Sequence, residues 1–461
     1  MRPKRGSKQR KALVGLLLSA AISVTWGSII ATHFYSGMGS FKAVFYGTRC
    51  LIRHSDPYDP AVLPQVYESE GGSFSPVPSE AFLYRRGNMV CVNLPTALFL
   101  VAPFAILPWK TAVFFWMVLQ AAGLSMAAFL NWLIARDYAL KPATLLIGLL
   151  LANAEIVLSL GNLAGIVVSL CIVAVWCLLE ERFVRAGVIC LALSLALKPH
   201  DAGLVWFYFL LLGGAYRKRA LQTLVVVAAL TLPAILWVSY VSPQWPQELR
   251  ANIHALSAHG SVNDPGPDSL SFLMADPVIS LQSTFSLLRD EPRFYNAASY
   301  LTCGLLLFAG AIRVLRSRFT KQNAWIALAA IAPLSMLPVY HRTYDAKLLL
   351  LMVPACALLW REGGPLKWLA GLMTTLAIAG TSDVPTTVVS QIMYGMNGGL
   401  DGAWGKFLTA FVFHPAPLLL LATGSFYLWV YFRRTAQERG GSADAREPFG
   451  ASLAANHGES L

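Results

Sequence analysis

Two short polar segments interrupt the apolar sequence and place basic side chains beside a carboxylate. The first reads Lys198-Pro199-His200-Asp201 and the second reads Tyr340-His341-Arg342-Thr343-Tyr344-Asp345. Lysine and arginine bind phosphate through charge-assisted hydrogen bonds. The segments therefore predict a cationic pocket for an anionic lipid head group, with Lys198, Arg342 and His200 as phosphate-binding residues. The alternative is a pair of local ion pairs, Lys198 with Asp201 and Arg342 with Asp345.

A third polar segment, 55–60, carries two carboxylates that could act as a general base. Two prolines fix the backbone φ angle on either side of Tyr58, which is flanked by Asp56 and Asp59. A carboxylate held near a membrane surface can deprotonate a hydroxyl group. The same pattern is also typical of a rigid turn without chemistry. A later polar region either shapes an acceptor site or is plain loop; it contains Trp245, Asn263, Asp264 and Asp268.

The composition requires that membrane helices position these segments. Of the 461 residues, 56% are apolar and 13% are charged, whereas a soluble domain carries about 25% charged residues. This excludes a soluble enzyme, a disordered protein and a secreted disulfide scaffold. The formal net charge of +12 comes from short basic clusters beside apolar runs. That pattern is typical of cytoplasmic loops rather than of nucleic-acid binding.

Twelve apolar runs predict an all-α polytopic membrane protein. They lie at about 12–32, 111–134, 142–159, 162–180, 184–197, 202–215, 220–240, 298–314, 323–340, 346–360, 367–381 and 408–432. Several runs are shorter than the roughly 20 residues that a perpendicular span needs, so we expect about 12 spans within a range of roughly 10 to 13. The run 94–107 contains Pro103 and is predicted to re-enter the membrane.

The charged connections between the runs fix the predicted orientation. They lie at 136–141, 180–185, 217–219, 313–321, 361–367 and 433–439, all on the N-terminal side of the membrane. Both termini are therefore predicted to be cytoplasmic. Two large extracytoplasmic loops follow, at about 34–93 and 241–297. We expect residues 1–434 to form one membrane domain and residues 435–461 to form a disordered cytoplasmic tail.

Two further features concern processing and redox chemistry. The basic segment Met1–Lys11 precedes an apolar run that is longer than the core of a signal peptide and lacks a cleavage motif, so we predict a retained first span. Cys50 and Cys91 could share an external loop, and a disulfide between them stays open. The other cysteines lie in apolar runs and are predicted to be core residues.

An ordered set of motifs resembles glycosyltransferase family 87, the membrane transferases of GT-C fold that use polyprenyl-phosphate sugars. The matching motifs are Val44-Phe45-Tyr46, Ser55-Asp56-Pro57-Tyr58-Asp59, Asn93-Leu94-Pro95, Ala102-Pro103-Phe104-Ala105-Ile106-Leu107-Pro108, Gly161-Asn162-Leu163, Ala186-Gly187, Ala196-Leu197-Lys198-Pro199 and Tyr344-Asp345-Ala346-Lys347-Leu348-Leu349-Leu350. No single motif is specific, and the ordered set over about 41–350 is moderately specific. The resemblance implies a GT-C-type fold with a functional extracytoplasmic face.

The resemblance also implies an activity. It is the inverting transfer of a mannose-like hexose from a polyprenyl-phosphate sugar to a lipid or glycan acceptor, at the bacterial inner membrane. Asp56 would be the general base, with His341 and Asp59 as further catalytic candidates. Lys198, Arg342 and His200 would stabilise the phosphate leaving group. The sequence shows no glycine-rich phosphate loop and no metal-ligand cluster, so neither a cofactor nor a metal is expected.

One departure from the family keeps other functions open. Family members usually place an aspartate just before the aromatic patch, where this chain reads Gly39-Ser40-Phe41-Lys42-Ala43. An inactive relative is one alternative. A lipid-linked glycan ligase or polymerase would share the donor. A 12-helix transporter or flippase is disfavoured, because no internal repeat is visible and the middle connection, 213–219, is short.

Overall fold

The computed structural model describes residues 5–33, 37–74, 89–267, 269, 278–383, 388–389, 392 and 402–444. Every regular element in these ranges is helical, and the β pairing seen there is an isolated bridge between Val278 and Arg342. The predicted all-α fold is therefore confirmed for the described part of the chain.

The helices of the N-terminal half are α1 (Arg5–His33), α2 (Gly39–Ile52), α3 (Val62–Ser69), α4 (Pro95–Ala105), α5 (Trp109–Ala152), α6 (Glu155–Leu160), α7 (Ala164–Leu179), α8 (Val184–Leu197), α9 (Pro199–Leu212) and α10 (Gly214–Val241). The C-terminal half contains α11 (Trp245–Leu256), α12 (Leu281–Ser286), α13 (Pro292–Arg316), α14 (Lys321–Ser335), a 3-10 helix (Asp345–Met352), α15 (Val353–Glu362), α16 (Leu366–Gly380), α17 (Gly402–Leu408), a π-helical segment (Thr409–Phe413) and α18 (Ala416–Asp444).

The helices have the length and composition of a multi-pass membrane protein. Four described helical segments are long and apolar enough to cross a membrane, or five if the pair that bends by 61° before α18 counts as one span. The four are Gly6–His33, Trp109–Leu160, Gly214–Val241 and Pro292–Arg316. Each of the twelve predicted apolar runs carries helix, but several of these helices are short. The count of about twelve spans therefore stays a prediction.

Large apolar side chains on the outside of the bundle indicate contact with lipid. Val225 on α10 is 70% exposed, and Phe308 on α13 is 66% exposed. Soluble monomers rarely expose contiguous apolar faces of this kind. Lipid chains can cover such faces at no cost, provided that the backbone polar groups are satisfied within helices.

The long helix α5 combines two predicted apolar runs. Its backbone is non-helical at Ala139, where φ is −151° and ψ is 99°, so it consists of two helices joined at a kink. Proline cannot donate a backbone hydrogen bond and its ring crowds the carbonyl four residues earlier. Pro142 therefore explains a break at this point. The kink lies between the predicted runs 111–134 and 142–159, within the charged connection at 136–141.

Helix α4 lies in the run 94–107 that we predicted to re-enter the membrane. It has 11 residues, begins with Pro95 and contains Pro103. At 1.5 Å per residue it is about 16 Å long, well short of the roughly 30 Å hydrocarbon core. Its length fits a helix that enters the membrane without crossing it, and re-entry remains a prediction.

Two apolar cores meet at the first polar segment. A large core contains most of the buried side chains of α5, α7, α9 and α14–α16, including Ala202. A second core is built on α2 and α4 and includes Tyr58 and Leu197. Because Leu197 and Ala202 belong to different cores, the Lys198–Asp201 segment lies where the two cores join.

Two smaller expectations can be compared with the structure. Helix α18 continues to Asp444, so the tail that was expected from Thr435 begins as helix, and residues 445–461 lie outside the described residues. Cys50 and Cys91 are both buried and both free, so the structure contains no disulfide between them.

Candidate functional site

The two polar segments meet and form one buried ionic cluster. Lys198 lies between α8 and α9, where Pro199 starts the second helix. Its Nζ atom is 3.2 Å from Asp201 Oδ2 and donates a hydrogen bond to Asp345 Oδ1. Asp201 and Asp345 are almost fully buried, and the Lys198 side chain is 14% exposed. One lysine is therefore shared by carboxylates from two segments that lie 147 residues apart.

The observed pairing differs from the purely local alternative. The Lys198–Asp201 pair forms as that alternative predicts. Asp345 instead pairs with Lys198, and its Oδ2 atom accepts a hydrogen bond of 2.9 Å from the backbone N–H of Arg342. A backbone N–H of the second segment thus holds one oxygen of Asp345, and the other oxygen contacts Lys198 of the first segment.

The charges in the cluster stabilise one another. Burial lowers the pKa of Lys198, but the Asp201 and Asp345 carboxylates outweigh this effect and raise the pKa above its ordinary value. Burial and the adjacent Asp201 carboxylate raise the pKa of Asp345 to about 6. The lysine is therefore cationic at neutral pH.

Two histidines lie against the Asp201 carboxylate. His341 is fully buried, its Nδ1 atom is 3.1 Å from the carbonyl oxygen of Val339, and its Nε2 atom is 3.2 Å from Asp201 Oδ1. His200 Nε2 lies 3.6 Å from the same Asp201 oxygen, and the two imidazole rings are 5.0 Å apart. The His200 side chain is 37% exposed. The cluster therefore has a buried end at His341 and an accessible end at His200.

Arg342 connects the segment around Val262 to this cluster. Its Nε atom donates a 2.5 Å hydrogen bond to the hydroxyl of Tyr340, and its Nη2 atom donates a 2.6 Å hydrogen bond to the carbonyl oxygen of Val262. Nearby, the backbone N–H of Ile279 donates to the carbonyl oxygen of His341. The Arg342 guanidinium therefore has a positioning role in addition to any contact with substrate.

The two carboxylates of the 55–60 segment both stabilise turns. Asp56 Oδ1 accepts a 2.8 Å hydrogen bond from the backbone N–H of Tyr58, and Asp59 Oδ1 accepts one from Ala61. Both side chains remain partly exposed. No contact between described atoms joins either carboxylate directly to Lys198. The predicted base candidates and the predicted phosphate-binding lysine are thus held by separate contacts.

Glu248 on α11 was not singled out in the sequence, yet it lies beside Asp56. Its Oε2 atom accepts a 2.9 Å hydrogen bond from the Ser242 hydroxyl. Burial raises the pKa of Glu248, the Ser242 hydroxyl opposes this shift, and the neighbouring Asp56 carboxylate adds to it. A carboxyl pair that can share one proton is therefore formed by residues from two segments that are distant in the chain. Trp245 lies on the same helix, and Asp268 lies outside the described residues.

A second buried ionic cluster was also missed. Lys347 Nζ donates a 2.6 Å hydrogen bond to the carbonyl oxygen of Asn153 and lies 3.3 Å from Asp383 Oδ1. Asp383 Oδ2 accepts a hydrogen bond from the backbone N–H of Ile156. Glu155 lies in the same region, and its Oε2 atom has no hydrogen-bond partner among the described residues. The available signal was the position of Glu155 and Lys347, two charged residues inside predicted apolar runs.

The stretch that departs from the family pattern opens α2. Ser40 accepts a 3.0 Å hydrogen bond from the side chain of Asn162, which belongs to the Gly161-Asn162-Leu163 motif. Gly161 has a φ of +61°, and a Cβ atom there would lie 2.8 Å from Phe41 Cβ. The glycine therefore allows the turn and α2 to pack closely.

The fold and this site define a polytopic helical membrane protein with a buried ionic cluster where its polar segments meet. Residues 92–288 match the family model of glycosyltransferase family 87. This match confirms the resemblance for that segment, which is less than half of the chain. The matched segment contains Lys198, His200 and Asp201, whereas Asp56 and the 340–345 segment lie outside it. No match to a curated protein or to a solved structure was found.

Proposed function

We propose that the chain transfers a mannose-like hexose from a polyprenyl-phosphate sugar to a lipid or glycan acceptor at the extracytoplasmic face of the membrane, with inversion at the anomeric carbon. The observation that carries this proposal is the position of Lys198. It lies within the family-matched segment, and a carboxylate from outside that segment holds it in place.

Lys198 is proposed to bind the donor phosphate. An ammonium group has three hydrogen-bond donors, and the two aspartates engage Lys198 from one side while 14% of its side chain remains exposed. The leaving group is a phosphate, whose charge needs electrostatic stabilisation but little acid assistance. His200 lies at the exposed end of the cluster and would contact the same phosphate. Arg342 would support it by fixing the second loop.

An apolar cavity further along α9 would hold part of the prenyl chain. It has a volume of about 360 Å³ and is lined almost entirely by apolar atoms. Leu204, Phe207 and Leu211 form one wall along α9, which begins directly after Lys198. Helices α13, α14 and α18 form the remaining walls. A donor whose phosphate lies at Lys198 would extend its chain along α9.

Asp56 is proposed to act as the general base. Its Oδ1 atom is fixed by the Tyr58 N–H group, and the Tyr58 side chain is fully buried and donates to the carbonyl oxygen of Asn93. The Oδ2 atom can therefore accept a proton in a defined position. In the reaction, the acceptor hydroxyl gives its proton to Asp56, its oxygen forms the new bond to the anomeric carbon, and the bond to the donor phosphate breaks with its electron pair on the phosphate.

The experiment is transfer from radiolabelled polyprenyl-phosphate mannose in membranes that contain the full chain. Asp56→Asn keeps the turn acceptor and removes the base, so we expect the rate to fall by about 10²- to 10⁴-fold. Asp59→Asn is the matched control because Asp59 stabilises the adjacent turn in the same way. Equal rates for the two variants would remove Asp56 as the base. Absence of transfer by the wild-type chain from two donor sugars would overturn the proposed reaction.

A further inference from the structure

The atoms that surround Asp201 Oδ1 have the arrangement of a metal site. One ring nitrogen of His200, one ring nitrogen of His341 and one Asp201 carboxylate oxygen all lie within 4.8 Å of one another. We propose that these three side chains bind a divalent transition metal of the Zn²⁺ class. The donor set, two imidazole nitrogens and one carboxylate oxygen, is one that such metals prefer.

The distances fit tetrahedral coordination. With metal–ligand bonds of about 2.0 to 2.2 Å, neighbouring ligand atoms of a tetrahedron lie roughly 3.3 to 3.5 Å apart. Asp201 Oδ1 lies 3.2 Å from His341 Nε2 and 3.6 Å from His200 Nε2. Small side-chain movements would therefore bring both histidines and the aspartate onto one ion.

The hydrogen-bond pattern of His341 supports a cation at this point. If His341 Nδ1 donates to the carbonyl oxygen of Val339, 3.1 Å away, a neutral ring has a lone pair on Nε2. That lone pair would face the negatively charged Asp201 Oδ1 at 3.2 Å. A cation is needed between the two atoms, either a second proton on the ring or a metal ion. Fixing of the ring by a backbone carbonyl is the usual outer contact of a metal-bound histidine.

Two buried atoms point to the same place. Asp201 Oδ1 and His341 Nε2 are buried and face each other at 3.2 Å, but their alignment is not that of a hydrogen bond. Buried polar atoms are normally satisfied. Lys198 Nζ lies at ion-pair distance on the Oδ2 side of the carboxylate. Oδ1 is thus the oxygen that faces the histidines.

The site would have three protein ligands and an open position. Such a ligand count is typical of metals that bind a substrate or water in the fourth position, whereas structural zinc sites use four protein ligands. The His200 side chain is 37% exposed, so the open position is reached from that side. If the proposed function holds, a phosphate oxygen of the donor would be the fourth ligand. The metal site itself does not depend on that activity.

The sequence offered little sign of this site. His200 and Asp201 are adjacent and His341 is distant in the chain, so no recognisable ligand spacing exists. The expectation of no metal was drawn from that absence of spacing. The ligands come together only because Lys198 and Asp345 join the two segments.

The test measures metal binding to the purified full chain in detergent, without an affinity tag. After chelation, the protein is titrated with Zn²⁺, and Co²⁺ is used to report tetrahedral coordination by its visible absorption. We expect one equivalent to bind. His200→Ala is the main variant because its partly exposed side chain can be removed with little effect on folding. His254→Ala, on the exposed side of α11, is the matched control.

The expected result is that His200→Ala weakens Zn²⁺ binding by more than the roughly 10- to 100-fold lost when an outer contact of a metal site is removed. His254→Ala should bind like the wild type. Asp201→Asn provides a second variant, and its unfolding temperature shows whether the protein folds. Absence of stoichiometric binding, or equal binding by the His200 and His254 variants, would overturn the proposal. Metal binding without sugar transfer would keep the metal site and reject the proposed function.

Discussion

Lys198 and Lys347 both form ion pairs with buried aspartates, but their surroundings differ. Lys198 is held by two aspartate side chains, remains 14% exposed and lies beside the half-exposed His200. Lys347 is 3% exposed, and its partner Asp383 is 1% exposed. Lys347 bonds to the backbone carbonyl of Asn153 where the chain breaks between α5 and α6, and Asp383 accepts from the backbone N–H of Ile156.

The comparison distinguishes a candidate functional site from an ion pair that stabilises the fold. Lys347 and Asp383 form hydrogen bonds with backbone groups that the helix break would otherwise leave unpaired. Loss of these hydrogen bonds in an apolar interior would cost free energy. The Lys198 cluster satisfies few backbone groups and is partly exposed at His200. A partly accessible charge cluster is typical of a functional site. The Lys347 cluster is typical of a structural one.

The largest expected effect comes from replacing each lysine with methionine. Lys198→Met should lower the transfer rate by about 10²- to 10³-fold, because the phosphate loses its cation. Lys347→Met should reduce the unfolding temperature and leave the rate per folded molecule similar. Initial rates and thermal unfolding of both purified variants provide the measurement.

A double variant controls for misfolding in this test. Lys198→Met alone leaves two buried carboxylates without their cation, so Asp345→Asn is added to remove one of the charges. The double variant should fold better than Lys198→Met and remain inactive. Recovery of transfer in the double variant would contradict the phosphate-binding role of Lys198.

A smaller effect is expected from neutralising the aspartates. Asp383→Asn leaves Lys347 buried without its described carboxylate partner and should lower the free energy of unfolding by about 3 to 5 kcal/mol. Asp345→Asn should cost less, since Lys198 keeps Asp201 as a partner. Chemical denaturation of the two variants in the same detergent gives the comparison. A greater loss for Asp345→Asn would reverse the assignment of the two clusters.

The smallest effect is expected from Glu155→Gln. This change neutralises a buried carboxylate whose Oε2 atom has no hydrogen-bond partner among the described residues. We expect changes of less than about 1 kcal/mol in both the unfolding free energy and the activation free energy of transfer. Chemical denaturation and initial rates of transfer measure these two changes. A loss of activity as large as that of Asp56→Asn would instead make Glu155 the candidate base.

The sequence predicts the helices well because apolar runs and charged connections reflect the membrane directly. Helix α8, Val184–Leu197, occupies the predicted run 184–197. The number of crossings is less predictable, because Pro142 bends α5 without ending it and α4 is shorter than a span. Composition records which residues are apolar, but it does not record how deeply a short helix lies in lipid.

The contacts of a site residue can be predicted from the sequence when the partner is close in the chain. They are harder to predict when the partner is brought near by the packing of distant segments. The Lys198–Asp201 pair follows from a spacing of three residues. The pairing of Lys198 with Asp345, and of Asp56 with Glu248, depends on segments that meet only in the folded chain. Asp59 has a pattern similar to that of Asp56, and the pattern alone does not distinguish a base from a turn residue.

The 3-10 helix Asp345–Met352 contributes one residue to each cluster, Asp345 to the first and Lys347 to the second. A 3-10 helix has three residues per turn, so side chains two positions apart point about 120° away from each other. Asp345 can therefore face α9 while Lys347 faces the break between α5 and α6. Because Asp345 and Lys347 lie on the same short helix, a rotation of that helix would move both ion pairs. A movement of this helix that loosens Lys198 for a substrate would therefore also change the contacts of Lys347 at the break between α5 and α6.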